Sequence, residues 1–467
     1  MQRKGSSNRG IETLWCEPMA VSRSHRIFLA LLALALLAPQ CVTEYPGPWR
    51  NHLGPATVMG ADEEAYLILL NSVLLDGDLD LKNNHAQVVV GSLQGGRKNV
   101  GRVMDHHSIW YIDGQRYVWR DMVDHSRWTR DANGLPQYVF HPRFDPRLAL
   151  GPEYSAHPVG LAFLLAPVLW PLRSTPYVEM GALLCAGLAT VCGMLLLDRL
   201  LRRYTANENA IRLTLVAAFL ATPVWYHGRS FFTEPFLVPL LLGAYVLGFR
   251  ERGGFWAGLC VAAGMLMKPQ LALLVPVLMV PALLRRDWLQ GALVAVMPAM
   301  ATGLLLWLNQ HMYGSPWRGP YPFMVGNLWE GLEGLLVSRP KGLVWFAPAV
   351  LVALPGWPRL VRERPLEGGM LLAGILPSFL LVALWNDWGG GWCYGPRLIV
   401  PLLPLMAIGL VKTLELDLFQ RFVPRWILAN ALLFGMAVNA FAAFRYWQSW
   451  HRFPVHMLAE LMGALKP

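Results

Sequence analysis

Charge is scarce in this chain. Of its 467 residues only 15% are Asp, Glu, Lys or Arg, while 55% are hydrophobic. A soluble chain carries about 25% charged residues. The shortfall excludes an ordinary soluble enzyme, because the extra apolar residues fall in long runs suited to a bilayer. Clustered basic residues are also missing, despite a formal net charge of +10. Lys and Arg lie in short loops between apolar runs, the pattern that positive-inside topology produces. That excludes nucleic acid as a partner. Cysteine is sparse, with six scattered residues and no metal-ligand spacing. Cys185, Cys192 and Cys260 fall inside apolar runs, while Cys41 and Cys393 are expected on one side of the membrane, where a pairing is open. No solenoid repeat and no inverted repeat is visible.

What is present divides the chain into five parts. Residues 1–26 are polar and basic and read as a cytoplasmic tail. Residues 27–42 are apolar with no small-x-small cleavage site behind them, so they read as an uncleaved first span. Residues 43–176 form a long extracytoplasmic loop. Within it, the stretch from Ala65 to Leu75 reads as an amphipathic helix, and 109–119 as a β-hairpin around Asp113-Gly114. Asp105, His106, His107, His125 and His141 lack metal spacing and read as solvated loop residues. Residues 177–443 form a transmembrane bundle, and 444–467 an extracytoplasmic tail.

The run at 158–172 decides the topology. If it spans, the basic loops that follow fall outside. If it only enters the outer leaflet, the loops at 198–212, 250–252, 285–286, 359–364 and 412–425 all fall inside. The run is short and carries Pro158, Pro167 and Pro171, so it reads as a re-entrant or interfacial helix. Later spans are expected at 177–197, 211–227, 234–249, 254–268, 269–284, 288–308, 342–357, 367–385, 397–412 and 425–443. With the first, that makes about eleven transmembrane helices in an all-α polytopic membrane protein.

This topology collects the unusual polar residues on the outer face. Asp62-Glu63-Glu64-Ala65-Tyr66 opens the long loop. Gly228-Arg229 and Thr233-Glu234 form a second outer loop, Lys268-Pro269 a third, and the stretch from Trp388 to Arg397 the last. Cations at the mouth of a bundle bind phosphate at headgroup level, and a carboxylate works beside it. Plainer readings stand next to this one. Asp62 also suits a helix N-terminus, Arg229 and Arg397 also suit interfacial anchors, and Trp388 and Trp392 also suit an aromatic belt.

In order and topology these motifs resemble the GT-C glycosyltransferases, in the branch of protein O-mannosyltransferases and bacterial aminoarabinose transferases. The resembling elements are the Asp-Glu-x-x-Tyr of Asp62, Glu63 and Tyr66, Gly228-Arg229 followed by Glu234, Lys268-Pro269, and Tyr394-Gly395-Pro396-Arg397. Two departures are visible. Glu234 stands where Asp is commoner, and His157-Pro158 stands where some relatives place a phosphate-holding Lys-Pro.

The resemblance implies a GT-C-like bundle and an inverting glycosyl transfer from a polyprenyl-phosphate sugar donor to an acceptor hydroxyl. Asp62 is the implied base and Glu63 its helper. Arg229, Lys268 and Arg397, with His157, are the implied phosphate ligands, while Tyr66, Glu234, Trp392 and Tyr394 are implied to line the substrate site. Membrane lipids are further partners, and the acceptor is left open among protein, lipid and glycan. No cofactor is specified, and a divalent metal stays open. The reading from another class is a transporter or flippase of a lipid-linked precursor. It requires ionisable groups at span centres, and few are found there. The expected location is a bacterial inner membrane with the site facing outside.

Overall fold

The computed structural model describes residues 21–43, 52–54, 56–58, 61–81, 84, 108–112, 115–118, 123–130, 136–140, 152–320, 323–391 and 393–445. The terminal tails before 21 and after 445, the Asp113-Gly114 turn, Asp105, His106, His107, His141 and Trp392 lie outside these residues, as does the side chain of His125.

Twelve helices carry the architecture. They are α1 (Arg23–Leu37), α2 (Ala61–Asn71), α3 (Gly160–Leu169), α4 (Val178–Leu201), α5 (Glu208–Phe219), α6 (Glu234–Gly248), α7 (Gly254–Met265), α8 (Leu274–Leu284), α9 (Trp288–Tyr313), α10 (Leu328–Val337), α11 (Pro365–Leu384) and α12 (Phe422–Phe444). Among the described residues, five segments are long and apolar enough to cross a membrane, namely Arg23–Cys41, α4, α9, α11 and α12. Helices α3, α6, α7 and α8 are apolar but shorter. At 1.5 Å per residue, the ten residues of α3 cover about 15 Å, about half of a bilayer's hydrocarbon core.

Three of the expected spans are not continuous helices. The run at 211–227 stops at Phe219 and resumes as Val224–His227 after Pro223. The run at 342–357 breaks into Leu343–Phe346, Pro348–Val352 and Leu354–Gly356. The run at 397–412 alternates 3₁₀ and α turns through Pro401 and Pro404. Proline removes an amide donor and clashes with the preceding turn, which ends a helix. Such irregular backbone survives at membrane depth only where protein encloses it. That holds here, since Ile399, Val400, Leu403, Leu405, Ile408, Leu410 and Val411 are fully buried.

Around this irregular strap the regular helices pack as neighbours. Helix α4 lies against α1, α5 and α6, α7 lies between α6 and α9, and α8 touches α9 and α11. Helix α7 meets α9 through Gly254 and Gly258. A Cβ at Gly258 would stand 2.4 Å from the Val294 carbonyl oxygen, and one at Gly254 2.7 Å from that of Gln290. Small residues four apart let two membrane helices approach this closely.

The long loop holds more strand than one hairpin. Strands β1 (Val42–Thr43) and β2 (His52–Leu53) pair antiparallel. Strands β3 (Ser108–Ile112), β4 (Gln115–Val118), β5 (Val123–Arg130), β6 (Pro136–Phe140) and β7 (Tyr154–Ser155) form two further antiparallel sheets. The first has the order β4-β3-β7, with Ile112 opposite Gln115, and the second pairs β5 with β6. Helix α2 also differs from the amphipathic expectation. It begins at Ala61, and every residue from Ala65 to Ser72 is buried. Tyr66, Leu67, Ile68, Leu69 and Leu70 leave no polar face over more than one full turn, so the helix is enclosed on all sides there. The free thiols of Cys41 and Cys393 show that the open pairing does not form.

Candidate active site

Four element ends converge on one cluster. Asp62 is in the first turn of α2, and Glu234 is the first residue of α6. Carboxylates are favoured there by the positive end of the helix dipole. Lys268 is extended and precedes Pro269, which denies it helical geometry, so its side chain leaves the end of α7. Arg397 follows Pro396 and opens the irregular strap.

The four side chains form one chain of charges. Lys268 Nζ donates to Glu234 Oε1 at 2.7 Å, and Arg397 Nε lies 3.8 Å from the same oxygen. Arg397 Nη1 donates to Asp62 Oδ2 at 2.5 Å. The guanidinium lies over the Phe232 ring at 4.7 Å, a cation–π contact that fixes its plane. Glu234 is 3% exposed, whereas Asp62 keeps 25% of its side chain open. The Nε–H of Arg397 is buried and has no hydrogen-bond partner among the described residues. An orphaned donor on a buried cation is a place where a ligand oxygen is accommodated.

Tyr66 completes the cluster one helical turn after Asp62. Its phenol hydrogen-bonds Thr233 and senses Glu234, Arg397 and Asp62. Burial, followed by the Glu234 charge, holds this phenol above its ordinary value, so it stays a neutral hydroxyl. Behind it, the His157 ring stands 4.7 Å from Tyr66, and the Phe231 ring meets Tyr66 edge-on at 6.5 Å. Glu63 accepts from the Phe231 amide at 2.6 Å, which ties α2 to the loop that leads into α6.

Two other expected residues lie elsewhere. Arg229 is buried and donates to the Ala443 carbonyl at 3.2 Å, near the end of α12. Tyr394 is 1% exposed, enclosed by Tyr226 and Phe346, and its hydroxyl reaches Asn439 Oδ1 at 3.0 Å. Trp392 lies outside the described residues. Trp388, read as a stacking or belt residue, covers Gly334 so closely that no Cβ fits between them.

Residues that sequence reasoning passed over also gather here. Phe232 lies under the Arg397 guanidinium. Asp387 looked like part of a polar turn. Its carboxyl is raised by desolvation and drawn back by Arg397, the Gly391 amide and Lys341. Lys341 looked like the charge that ends a loop. The signal that would have found Lys341 and Asp387 is the rarity of ionisable residues beside apolar runs. Among the described residues no group of three His, Cys, Asp or Glu side chains has a geometry that could hold a metal ion.

Broken helices, long apolar helices and a charge cluster at helix ends define a polytopic helical membrane protein with a polar site among those helix ends. The particular fold is the GT-C fold, as in ArnT. ArnT from Cupriavidus metallidurans bound to undecaprenyl phosphate superposes with a TM-score of 0.51 at 14% identity, over 90% of this chain and 64% of that one. ArnT of the same organism in the apo state gives a TM-score of 0.50 at 15% identity, over 89% and 62%. This chain therefore spans less than two thirds of ArnT. No protein-family model matches the sequence, and no curated protein does. The apolar helices and this fold make the chain an integral membrane protein.

Proposed function

We propose that this chain is an inverting glycosyltransferase that moves a sugar from a polyprenyl-phosphate donor to an acceptor hydroxyl on the extracytoplasmic side. One observation carries the reading. Arg397 stands between Asp62 and Glu234 and keeps an unused, buried N–H. The ArnT structure bound to undecaprenyl phosphate has the same fold and supports a lipid phosphate as the natural anion for such a slot.

In this reading the resting charges cancel in pairs. Glu234 holds Lys268, and Asp62 holds Arg397. An arriving phosphate competes for both cations. As Arg397 turns its donors to the phosphate, Asp62 is released from that ion pair and is available as a base. Donor binding thus readies the carboxylate only when there is something to attack. Asp62 then takes the acceptor proton. The acceptor oxygen bonds to the anomeric carbon from the side opposite the phosphate, and the carbon–oxygen bond to the phosphate breaks. Polyprenyl phosphate leaves with the bonding electrons, and Lys268 and Arg397 balance its added charge. One base opposite one leaving group inverts the anomeric centre. The neutral Tyr66 hydroxyl is placed to donate to a sugar or phosphate oxygen.

A reconstitution assay tests this. Polyprenyl-phosphate sugars are supplied to the protein in nanodiscs and transfer is followed by mass spectrometry. The Asp62→Asn variant is expected to lose about 10²–10⁴-fold in rate, the usual range for a general base, while still binding undecaprenyl phosphate. Near-normal transfer by that variant removes Asp62 from the mechanism. Failure of the wild type to bind any polyprenyl phosphate removes the donor class.

A further inference from the structure

Lys341 is a buried cation that the cluster leaves unexplained. It is 8% exposed and precedes the short helix Leu343–Phe346. Its ammonium has three neighbours, all on the last outer loop. Nζ donates to the Gly391 carbonyl at 3.0 Å and to the Cys393 carbonyl at 2.7 Å, and lies 3.3 Å from Cys393 Sγ. Among the described residues no carboxylate lies within ion-pair distance of it. Among the described residues the other buried lysine, Lys412, bonds Glu363 and Glu415. Burying an ammonium against carbonyls alone is costly, so a lysine here needs a reason.

The loop it grips supplies that reason. Gly390, Gly391 and Gly395 have φ of +65°, +73° and +59°. A segment that relies on left-handed glycines has many alternatives in the unconstrained chain. Among the described residues its own backbone bonds are Gly390 to Asp387, Cys393 to Gly391, and Arg397 to Gly395. Lys341 fastens the loop on both sides of position 392, and Arg397 follows Cys393 by four residues. The two cations also share a neighbourhood, since both act on the Asp387 carboxyl.

We propose that Lys341 is a positioning residue for Arg397. Its ammonium holds the turn from Gly389 to Pro396 in the one form that carries the guanidinium to Asp62 and Glu234. A neutral amide cannot replace it, because three acceptors must be met from one atom. The proposal rests on the lipid-phosphate reading of the cluster only for its second readout.

The experiment uses the full chain in nanodiscs with Lys341→Gln, Lys341→Arg, Arg397→Lys and the Gln/Lys double variant. Hydrogen exchange of peptides covering 386–397 is the first readout. Lys341→Gln is expected to speed exchange there about tenfold, the effect of losing a hydrogen bond to a charged group, with other peptides unchanged. Lys341→Arg keeps the charge with shifted donors and is expected to fall between wild type and Gln. Unchanged exchange in 386–397 overturns the proposal. If Lys341→Gln yields no folded protein, the Arg variant alone decides by the same criterion. Undecaprenyl phosphate binding is the second readout. Lys341→Gln is expected to weaken it about tenfold in the wild-type background and by less than about twofold in the Arg397→Lys background, because coupled residues do not add. Equal losses in both backgrounds mean that Lys341 acts without Arg397, and overturn the assignment. A wild type that binds no undecaprenyl phosphate defeats the lipid-phosphate reading, while the exchange result still decides the role of Lys341.

Discussion

Arg397 and Asp62 are 335 residues apart in sequence and joined by a 2.5 Å ion pair. The pair brings the start of the first loop to the end of the last one. It also places the proposed base under the control of the proposed phosphate ligand. Arg397 reaches toward two carboxylates at once through a planar fork, and Phe232 fixes that plane. Lysine offers one point charge on a flexible stem and cannot reproduce this. Arg397→Lys is therefore expected to weaken undecaprenyl phosphate binding about 10- to 100-fold, the loss of one charge-assisted hydrogen bond. Isothermal titration against the purified variant measures it. Wild-type affinity would show that Arg397 serves Asp62 alone.

Lys268 and Glu234 form the second pair. Glu234 is 3% exposed and Lys268 15%, so neither charge is fully solvated. Removing one partner strands the other. Lys268→Met is expected to destabilise the protein by about 3 kcal/mol, the low end for a broken buried pair, because Arg397 stays 3.8 Å from Glu234. The double change Lys268→Met with Glu234→Leu is expected to recover part of this loss, since it leaves no stranded charge. Chemical denaturation in detergent reads both. A double variant as unstable as the sum of its singles shows that the pair is not coupled.

The four residues of the cluster were legible because charge is so rare in this sequence. Asp62, Glu234, Lys268 and Arg397 each interrupt the edge of an apolar run, where an ionisable group needs a reason. The side chains that hold them were not legible. Glu63 reads as half of a catalytic pair, and nothing in the sequence shows that its carboxylate also accepts from the Phe231 amide 168 positions later. Arg229 and Tyr394 carry the right residue types in the right order, but their bonds to Ala443 and Asn439 depend on where α12 packs. The fold was legible at the same level. The proline-free run at 177–197 became α4, and the run at 288–308 became α9, which continues through Pro298, both at close to their expected places. Hydropathy alone gave the runs at 342–357 and 397–412 as spans, although their prolines break them into turns.

Glu63 is expected to behave as a strut. Its carboxylate holds the Phe231 amide three residues before Glu234. Glu63→Gln keeps an acceptor oxygen and is expected to retain most transfer activity. Glu63→Ala leaves a buried amide unmet and is expected to cost about 1.5–3 kcal/mol, with a lower kcat that follows the displaced loop. The comparison of kcat and thermal midpoint across the two variants tests this. Equal inactivity of both, with stability unchanged, instead makes Glu63 a direct participant in the reaction.

Gly160 controls where Lys268 stands. Its amide donates to the Leu266 carbonyl at 3.2 Å, which docks the start of α3 on the last turn of α7. A Cβ at Gly160 would lie 2.4 Å from the Leu266 carbonyl carbon, 2.5 Å from its oxygen and 2.7 Å from its Cβ. Backbone cannot give way as a flexible side chain can, so Gly160→Ala must push α3 off α7. Overpacking of this kind costs about 1–3 kcal/mol. The displacement acts two residues before Lys268 and three after His157, so it disturbs both sides of the cluster. Gly160→Ala is expected to lower the thermal midpoint and to weaken undecaprenyl phosphate binding together. Gly303→Ala is the control, because no heavy atom lies within 4 Å of its Cβ position on α9. That variant is expected to bind normally and to gain slightly in stability, as alanine is the better helix former. Normal binding by Gly160→Ala would show that the α3–α7 contact does not set the position of Lys268.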